Sequence, residues 1–245
     1  MNRLPKGNVF LISLTTTMPT KKTNFHKREL GSGAFTVEDV SMILGQSHQK
    51  VYRYIKEYGD VKFGKLYNET YSWSVDKTLV VNFYALIELH VIFLLMETHK
   101  IKLSEINKAR EVLAKSFGTP YPLATQKIFT DKKDILYKHL DEYVNANKTH
   151  QFNLKEIVAP SLKKVEWKNG AAYRYFPLGK QHSVVVDPLR QHGQPTIIKS
   201  NLRTQTIWRM YESGEPKENI KTLYDLTTKE LDDALLFYKS INKAA

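Results

Sequence analysis

The stretch FTVEDVSMILGQSHQKVYRYIKEY, Phe35 to Tyr58, decides how the chain is read. Apolar residues recur at helical spacing from Val37 to Leu44. Thr36 before them is an N-cap residue and Gly45 after them punctuates, and Ser47 can cap a second helix predicted to run to about Tyr58. Two short capped helices meeting at a tight turn form a helix-turn-helix, whose first helix braces and whose second lies in the DNA major groove. The second helix must therefore be apolar inside and offer donors outside. Val51 and Ile55, four apart, are predicted to hold it on the core and leave His48, Gln49, Tyr52, Arg53 and Lys56 outward. Arg and Gln pair bidentately with guanine and adenine edges, each contact discriminating by roughly 1–3 kcal/mol. Arg53 and Gln49 are thus the expected base readers within a contact set of Ser47, His48, Gln49, Lys50, Tyr52, Arg53 and Lys56. The plainer alternative is a helical hairpin with a solvated face; the basic second helix and its flanking segments favour DNA.

Working outward, residues 1–33 combine a short apolar patch, a Thr-rich run and the basic cluster Lys21, Lys22, His26, Lys27 and Arg28, which predicts a flexible basic arm. Asp60 to Ser74, rich in Tyr, Trp and Phe with Gly64 and Asn68, predicts a β-hairpin or wing on which Lys62 and Lys65 reach phosphate. Leu79 to Met96 follows as a nearly all-apolar helix. Leu103 to Phe117 is an amphipathic one, with Ile106, Ala109, Arg110 and Leu113 at helical spacing, closed by Gly118, Pro120 and Pro122. A helix apolar all round needs cover on every side. A second copy would supply it, as a two-fold DNA reader requires; so would the following hairpins in a monomer. Ile128 to Tyr137 predicts a hairpin, Leu154 to Leu162 a short helix, and Lys164 to Val186 two strands around the turn dipeptide Asn169-Gly170. Thr204 to Ser213, Lys217 to Tyr224 and Thr228 to Ser240 predict a second trihelical unit. The expected fold is mainly α with small β-hairpins. Its parts are an arm (1–33), a winged helix-turn-helix (34–75), a helical dimerisation or linking region (76–150), and a hairpin with a C-terminal trihelical helix-turn-helix (151–245).

The formal net charge of +12 points to an anionic partner. By segment it is +5 over residues 1–75, +2 over 76–150, +7 over 151–209 and −2 over 210–245. Glu230, Asp232 and Asp233 stand where a reading helix would need donors, so the C-terminal unit is expected to contact protein rather than DNA. The chain has no Cys, which excludes disulfides, thiolate metal sites and cysteine nucleophiles and suits a cytoplasmic protein. Val9 to Leu14 is too short for a signal peptide's apolar region, and Asn82, Glu88 and His90 interrupt Leu79 to Met96 as a membrane span. Gly31-Ser32-Gly33 lacks the third glycine of a dinucleotide fingerprint, and no P-loop, zincin helix or nucleophile elbow occurs. No enzyme activity, cofactor or metal is expected. His182, His192 and Asp187 are close in sequence but read as loop residues, with Asp187-Pro188 a turn initiator.

Two stretches also carry a resemblance. Phe35 to Val40, through Leu44-Gly45 to Val51-Tyr52-Arg53-Tyr54-Ile55, resembles the MerR-like helix-turn-helix at the front of VapB-type antitoxins. Val184 to Pro188, Gly193-Gln194-Pro195, Ile207, Ser213-Gly214-Glu215, Ile220, Leu223-Tyr224, Leu226, Leu231, Ala234 and Phe237 resemble the domain-of-unknown-function family numbered four hundred and thirty-three. Pro120-Tyr121-Pro122 and Tyr175 to Lys180 are similar to the same antitoxin group, so the resemblance runs from about residue 34 onward. It departs at Lys199 to Arg203, where the family tends to have Gly-Thr and then Ile-Pro. The resemblance implies a type II antitoxin that binds operator DNA, represses its own operon and neutralises a PIN-type ribonuclease toxin by direct contact. Two rivals stand beside it. One is a transcriptional regulator without a toxin; the other is an RNA-binding module, suggested by Tyr67, Tyr71 and Trp73, on whose rings bases stack.

Overall fold

Ten of the fifteen residues of one helix, Phe83–Glu97, are buried, and the rest of the fold is arranged to cover it. The computed structural model describes residues 32–61, 71–98, 100–125 and 163–242. Over these residues the chain is mostly helical, with seven α-helices and small antiparallel strand pairs. It begins with a two-residue strand β1 (Phe35–Thr36), helix α1 (Val37–Leu44) and helix α2 (His48–Arg53), which continues as a π-helical stretch, Tyr54–Asp60. A hairpin follows, β2 (Trp73–Val75) and β3 (Thr78–Val81), and with β1 it makes a three-stranded sheet in the order β1-β3-β2. The long helices α3 (Phe83–Glu97) and α4 (Leu103–Phe117) and a 3-10 turn, Pro122–Ala124, come next. The C-terminal part comprises β4 (Val165–Lys168), β5 (Ala171–Tyr175), β6 (Val184–Val185), β7 (Thr196–Ile197), and helices α5 (Thr204–Glu212), α6 (Lys217–Tyr224) and α7 (Thr228–Asn242).

Local chemistry accounts for most boundaries. Thr36 and Asp39 form a capping box: Thr36 Oγ1 accepts from the Asp39 N–H at 3.1 Å, and an Asp39 carboxylate oxygen accepts from the Thr36 N–H at 2.9 Å. Gly45 ends α1 at φ 62°, the left-handed geometry glycine adopts without penalty. The Asn169-Gly170 turn joins β4 to β5 with both φ positive, at 52° and 79°. Two expectations shift. A hairpin lies at Trp73 to Val81, turning at Asp76-Lys77, which take φ of 45° and 67°, and most of the hairpin expected at Asp60 to Ser74 falls on residues 62–70, outside the described residues. The apolar helix correspondingly starts at Phe83 rather than Leu79: the β-branched Val80 and Val81 complete a strand, and Asn82 caps the helix by accepting from the Ala85 N–H at 2.9 Å. The second helix also runs past Tyr58, to Asp60. The Ile128 to Tyr137 hairpin, the Leu154 to Leu162 helix, residues 1–31 of the arm, and Lys62 and Lys65 lie outside the described residues.

One apolar cluster takes side chains from α1, α2, β3, α3, α4, β5 and β6, together with Phe237 and Tyr238 of α7. A second, smaller cluster of Ile197, Ile207, Ile220, Leu226, Leu231, Ala234 and Leu235 fills the space among α5, α6 and α7. Trp208 packs on both and stacks on Tyr238 at 5.2 Å between ring centroids. The N-terminal and C-terminal parts are further joined just ahead of α1. The Ala34 N–H donates to the His192 carbonyl at 3.1 Å. Gly193, at φ 92°, lets the backbone lie against the Phe35 ring, where an added Cβ would come within 2.3 Å of Cζ. The cover that α3 requires is thus supplied within a single chain.

The apolar surround of α3 contains one buried carboxylate. Glu88 is fully buried, and Arg110 on α4, 5% exposed, donates to it from Nε at 2.9 Å and from Nη2. The Leu123 N–H donates to its other oxygen at 3.1 Å, and the Tyr71 hydroxyl lies at 3.4 Å. Burial pushes the Glu88 carboxyl above its ordinary range, and the Arg110 charge and these donors pull it back. Removing one member of a buried pair strands the other charge, at about 3–5 kcal/mol, while an apolar replacement of both is often neutral. Arg110→Met is therefore expected to lose about that much stability in urea unfolding, and Glu88→Leu combined with Arg110→Met to recover most of it. Equal losses in the single and double variants would show that the stranded charge is not the controlling cost.

Candidate nucleic-acid interface

Both helices of the N-terminal pair, α1 and α2, are seated by buried side chains. Val37, Val40 and Ile43 of α1 are buried, as are Val51 of α2 and Ile55 in the π-helical continuation. Tyr54, between Val51 and Ile55, is also buried, with Tyr58 at 5.6 Å and Phe93 at 5.8 Å between ring centroids. Only the periodicity of Val51 and Ile55 was legible for this inner face; a tyrosine in a basic helix reads as outward until its ring neighbours are known. Ser47 Oγ accepts from the Lys50 N–H at 3.4 Å and caps α2.

The structure divides the predicted contact residues into two groups. His48, Gln49, Tyr52 and Arg53 are exposed on one side of α2, and the rings of His48 and Tyr52 lie nearly parallel at 6.5 Å. Ser47 is exposed at the cap. Lys50 is drawn back into the fold, and Lys56 is held by a local pair. The Lys50 ammonium bonds Gln46 Oε1 at 2.7 Å and the Glu97 carboxylate, and sits 4.7 Å above the Phe93 ring. Lys56 pairs with Asp60 at 3.1 Å, and Asp60 in turn accepts from the Ser72 N–H at 2.9 Å. Lys50 therefore braces α2 against α3, while the Lys56 pair stays within its own helical stretch. Of the aromatics that suggested RNA stacking, Tyr71 is 1% exposed within the Glu88 network and offers no face to a base, and Tyr67 lies outside the described residues.

The C-terminal unit has the expected three helices, but two of its three carboxylates serve the fold. Glu230 forms a capping box with Thr227, accepting from its N–H at 2.9 Å and from its hydroxyl at 2.7 Å. Asp233 turns inward to His182 Nδ1 at 2.6 Å, the Ser183 N–H at 2.7 Å and Lys229 at 2.8 Å. Asp232 alone of the three is exposed, paired with Lys217 at 2.8 Å. The carboxylate field inferred for this helix is correspondingly weaker than the bare count suggests. Leu223 and Leu236 stand out from α6 and α7 at 63% and 44% exposed. His182, Asp187 and His192 are each held elsewhere: His182 on Asp233, Asp187 on Arg174, and His192 through its carbonyl on Ala34. Among the described residues no His, Asp and Glu cluster is arranged to hold a metal ion, and no helix is long and apolar enough to cross a membrane.

Residues 184–238, which run from β6 into α7, match the family described as "Protein of unknown function (DUF433)". A Mycobacterium tuberculosis (strain ATCC 25618 / H37Rv) protein described as "Putative antitoxin VapB45" is 25% identical over 149 residues, covering 55% of this chain and 62% of that one. The "Uncharacterized protein Rv2308" of the same organism is 33% identical over 61 residues, 25% of this chain and 26% of that one. The matched parts thus span less than two thirds of either relative. The X-ray crystal structure of Rv2018 from Mycobacterium tuberculosis superimposes with a TM-score of 0.63 at 18% identity, over 82% of this chain and 96% of that one, which shows a shared fold.

The inward carboxylate of α7 allows a pH test of how the C-terminal unit is held. Burial would raise the Asp233 pKa, but the hydrogen bonds from His182, Lys229 and Ser183 outweigh it and hold the carboxyl at about 2, against about 3.9 in an unfolded chain. A carboxyl depressed in the folded state stabilises the fold above its unfolded pKa, and the contribution is lost as pH falls through the folded value. Asp233→Asn is expected to cost on the order of 1–2 kcal/mol at neutral pH. That difference should shrink between about pH 4 and pH 2. A gap of the same size at both ends of that range in urea unfolding would show that the ionised carboxylate does not anchor α7 to residues 182–183.

Proposed function

We propose that the protein is the antitoxin of a type II toxin-antitoxin pair and that it binds operator DNA through Phe35 to Tyr58 to repress its own operon. The observation that carries the DNA half of this reading is the separation on α2. His48, Gln49, Tyr52 and Arg53 are exposed together while Val51, Tyr54 and Ile55 lock the helix from behind. A rigid helix presenting Gln and Arg on one face is what base reading in the major groove requires. In this reading Arg53 and Gln49 read base edges, His48 and Tyr52 lie beside them, and Lys62 and Lys65 act on phosphates.

The antitoxin half rests on the printed description of the VapB45 relative and on the family match over residues 184–238. In this reading residues 34–75 read DNA, 76–150 link the parts, and 151–245 engage the toxin, a PIN-type ribonuclease, with Leu223 and Leu236 as its apolar contacts. The protein works in the cytoplasm as a homodimer because a two-fold operator calls for two reading helices. The apolar helix α3, already covered within its own chain, is not the reason for pairing.

Arg53→Ala is expected to weaken binding to the operator duplex by roughly 10-fold or more, for a loss of about 1–3 kcal/mol, and to leave binding to a scrambled duplex nearly unchanged. Lys62→Ala should weaken both alike. Equal losses of Arg53→Ala on the two duplexes would falsify the base-reading role. Co-expression with the product of the adjacent gene tests the other half: a co-purifying complex and restored growth are expected, and neither would appear if the protein were a regulator without a toxin.

A further inference from the structure

The most basic part of the chain has no partner in the reading above. Residues 163–209 hold nine Lys and Arg against two Asp and Glu, and both acids are neutralised within the fold. Asp187, 1% exposed, accepts from Arg174 Nε at 2.8 Å and from the Leu189 N–H at 3.0 Å, and lies 3.5 Å from Arg190 Nε. Glu166 pairs with Arg174 at 3.7 Å. Seven positive charges remain in excess over this stretch.

Three of these cations sit on one short arch that is closed on itself. β6 and β7 pair, Arg190 Nη1 donates to the Ile198 carbonyl at 2.7 Å, and Arg203 Nε donates to Gln191 Oε1 at 3.0 Å. Lys199 projects from the turn between Ile197 and Arg203 with its side chain 78% exposed, and approaches Glu230 only to 4.0 Å. The arch is also fixed in place. Gln191, His192 and Gly193 take three successive left-handed conformations, at φ 47°, 57° and 92°, which costs energy at the two non-glycine positions. This bend brings the His192 carbonyl onto the Ala34 N–H and Gly193 onto the Phe35 ring. The arch therefore abuts the start of α1, and in a helix-turn-helix the first helix is the one that crosses the phosphodiester backbone.

We infer that the arch from Asp187 to Arg203 is a second, sequence-independent contact with double-stranded DNA, in which Lys199 and the guanidinium groups of Arg190 and Arg203 meet phosphates beside the site taken by α2. A guanidinium carries five donors, so the bonds to Ile198 and Gln191 orient these groups and leave donors for phosphate. The inference rests on reading Phe35 to Tyr58 as the DNA-binding unit, and the test separates the two.

The probe is a labelled 30-base-pair duplex (about three helical turns) of arbitrary sequence, titrated with the full chain between about 50 and 200 mM salt, the range over which phosphate contacts dominate affinity. Lys199→Gln is expected to reduce the slope of log K against log salt by about 0.9, and Lys199→Gln with Arg203→Gln by about 1.8. The fold-loss should be the same on this duplex and on the promoter duplex, and Lys199→Arg should restore the wild-type slope. Lys199 makes no close bond, so its replacement reports on DNA rather than on folding, which a thermal melt verifies. An unchanged slope in the double variant, with the wild type binding normally and Arg53→Ala still selective, overturns the arch contact and leaves the helix-turn-helix reading in place. A wild type that binds no duplex at about 50 mM salt overturns both. If the double variant keeps its slope but no longer retains the co-expressed neighbour, the arch is a protein contact and the inference fails.

Discussion

A carboxylate in the middle of an apolar helix has to be paired from several directions at once, and Glu88 is paired by residues that lie far apart in the chain. Arg110 reaches it from α4, Leu123 from the 3-10 turn and Tyr71 from the segment ahead of the hairpin. An apolar surface is indifferent to small slides and rotations, since its contacts are non-directional, whereas hydrogen bonds to a single charged group are not. The network therefore fixes the depth and rotation at which α3 sits against α4, and through Phe93 and Tyr54 it fixes where α2 sits on α3. Lys50, bonded to Glu97 at the far end of α3, sets the same orientation from outside. The exposed face of α2 is thus aimed by interactions buried well behind it.

The two helical units differ in sequence and in charge, yet they share an apolar core. Phe237 and Tyr238 of the last helix join the cluster that holds α1 and α2, and Trp208 spans both clusters. A cavity of about 170 Å³ lies along this junction, lined by Met42 to Gly45 on one side and by Phe237, Ser240 and Ile241 on the other. Whatever the C-terminal helices touch is consequently only one layer of side chains from the turn of the helix-turn-helix.

Much of this was readable from residues that act locally. The Thr36 and Ser47 caps, the Gly45 stop, the Asn169-Gly170 turn and the three C-terminal helices each depend on neighbours within a few positions, and they occur where those residues place them. The exposed set His48, Gln49, Tyr52 and Arg53 was legible for the same reason. What periodicity could not settle depended on distant partners. Asp76-Lys77 carries no strong turn signal, and it turns because Val80 and Val81 are wanted by Phe35 and Trp73 across the sheet. Lys50 and Asp233 look like surface charges until the groups that claim them, Glu97 and Ser183, are placed opposite from about fifty residues away. The +7 segment showed its excess in composition alone, but which of its cations remain available depended on where Asp187 and Glu166 fold.

The contact between Phe35 and Gly193 has a consequence for the order in which the protein can be made. Strand β1 and the ring at its head are synthesised early, but the backbone that closes over them is 158 positions later. Ribosomes add roughly 5–20 residues per second, so Phe35 waits on the order of ten seconds or more before the Gly193 backbone is available to close over it. The surroundings of Phe35 are thus completed only after most of the chain has emerged.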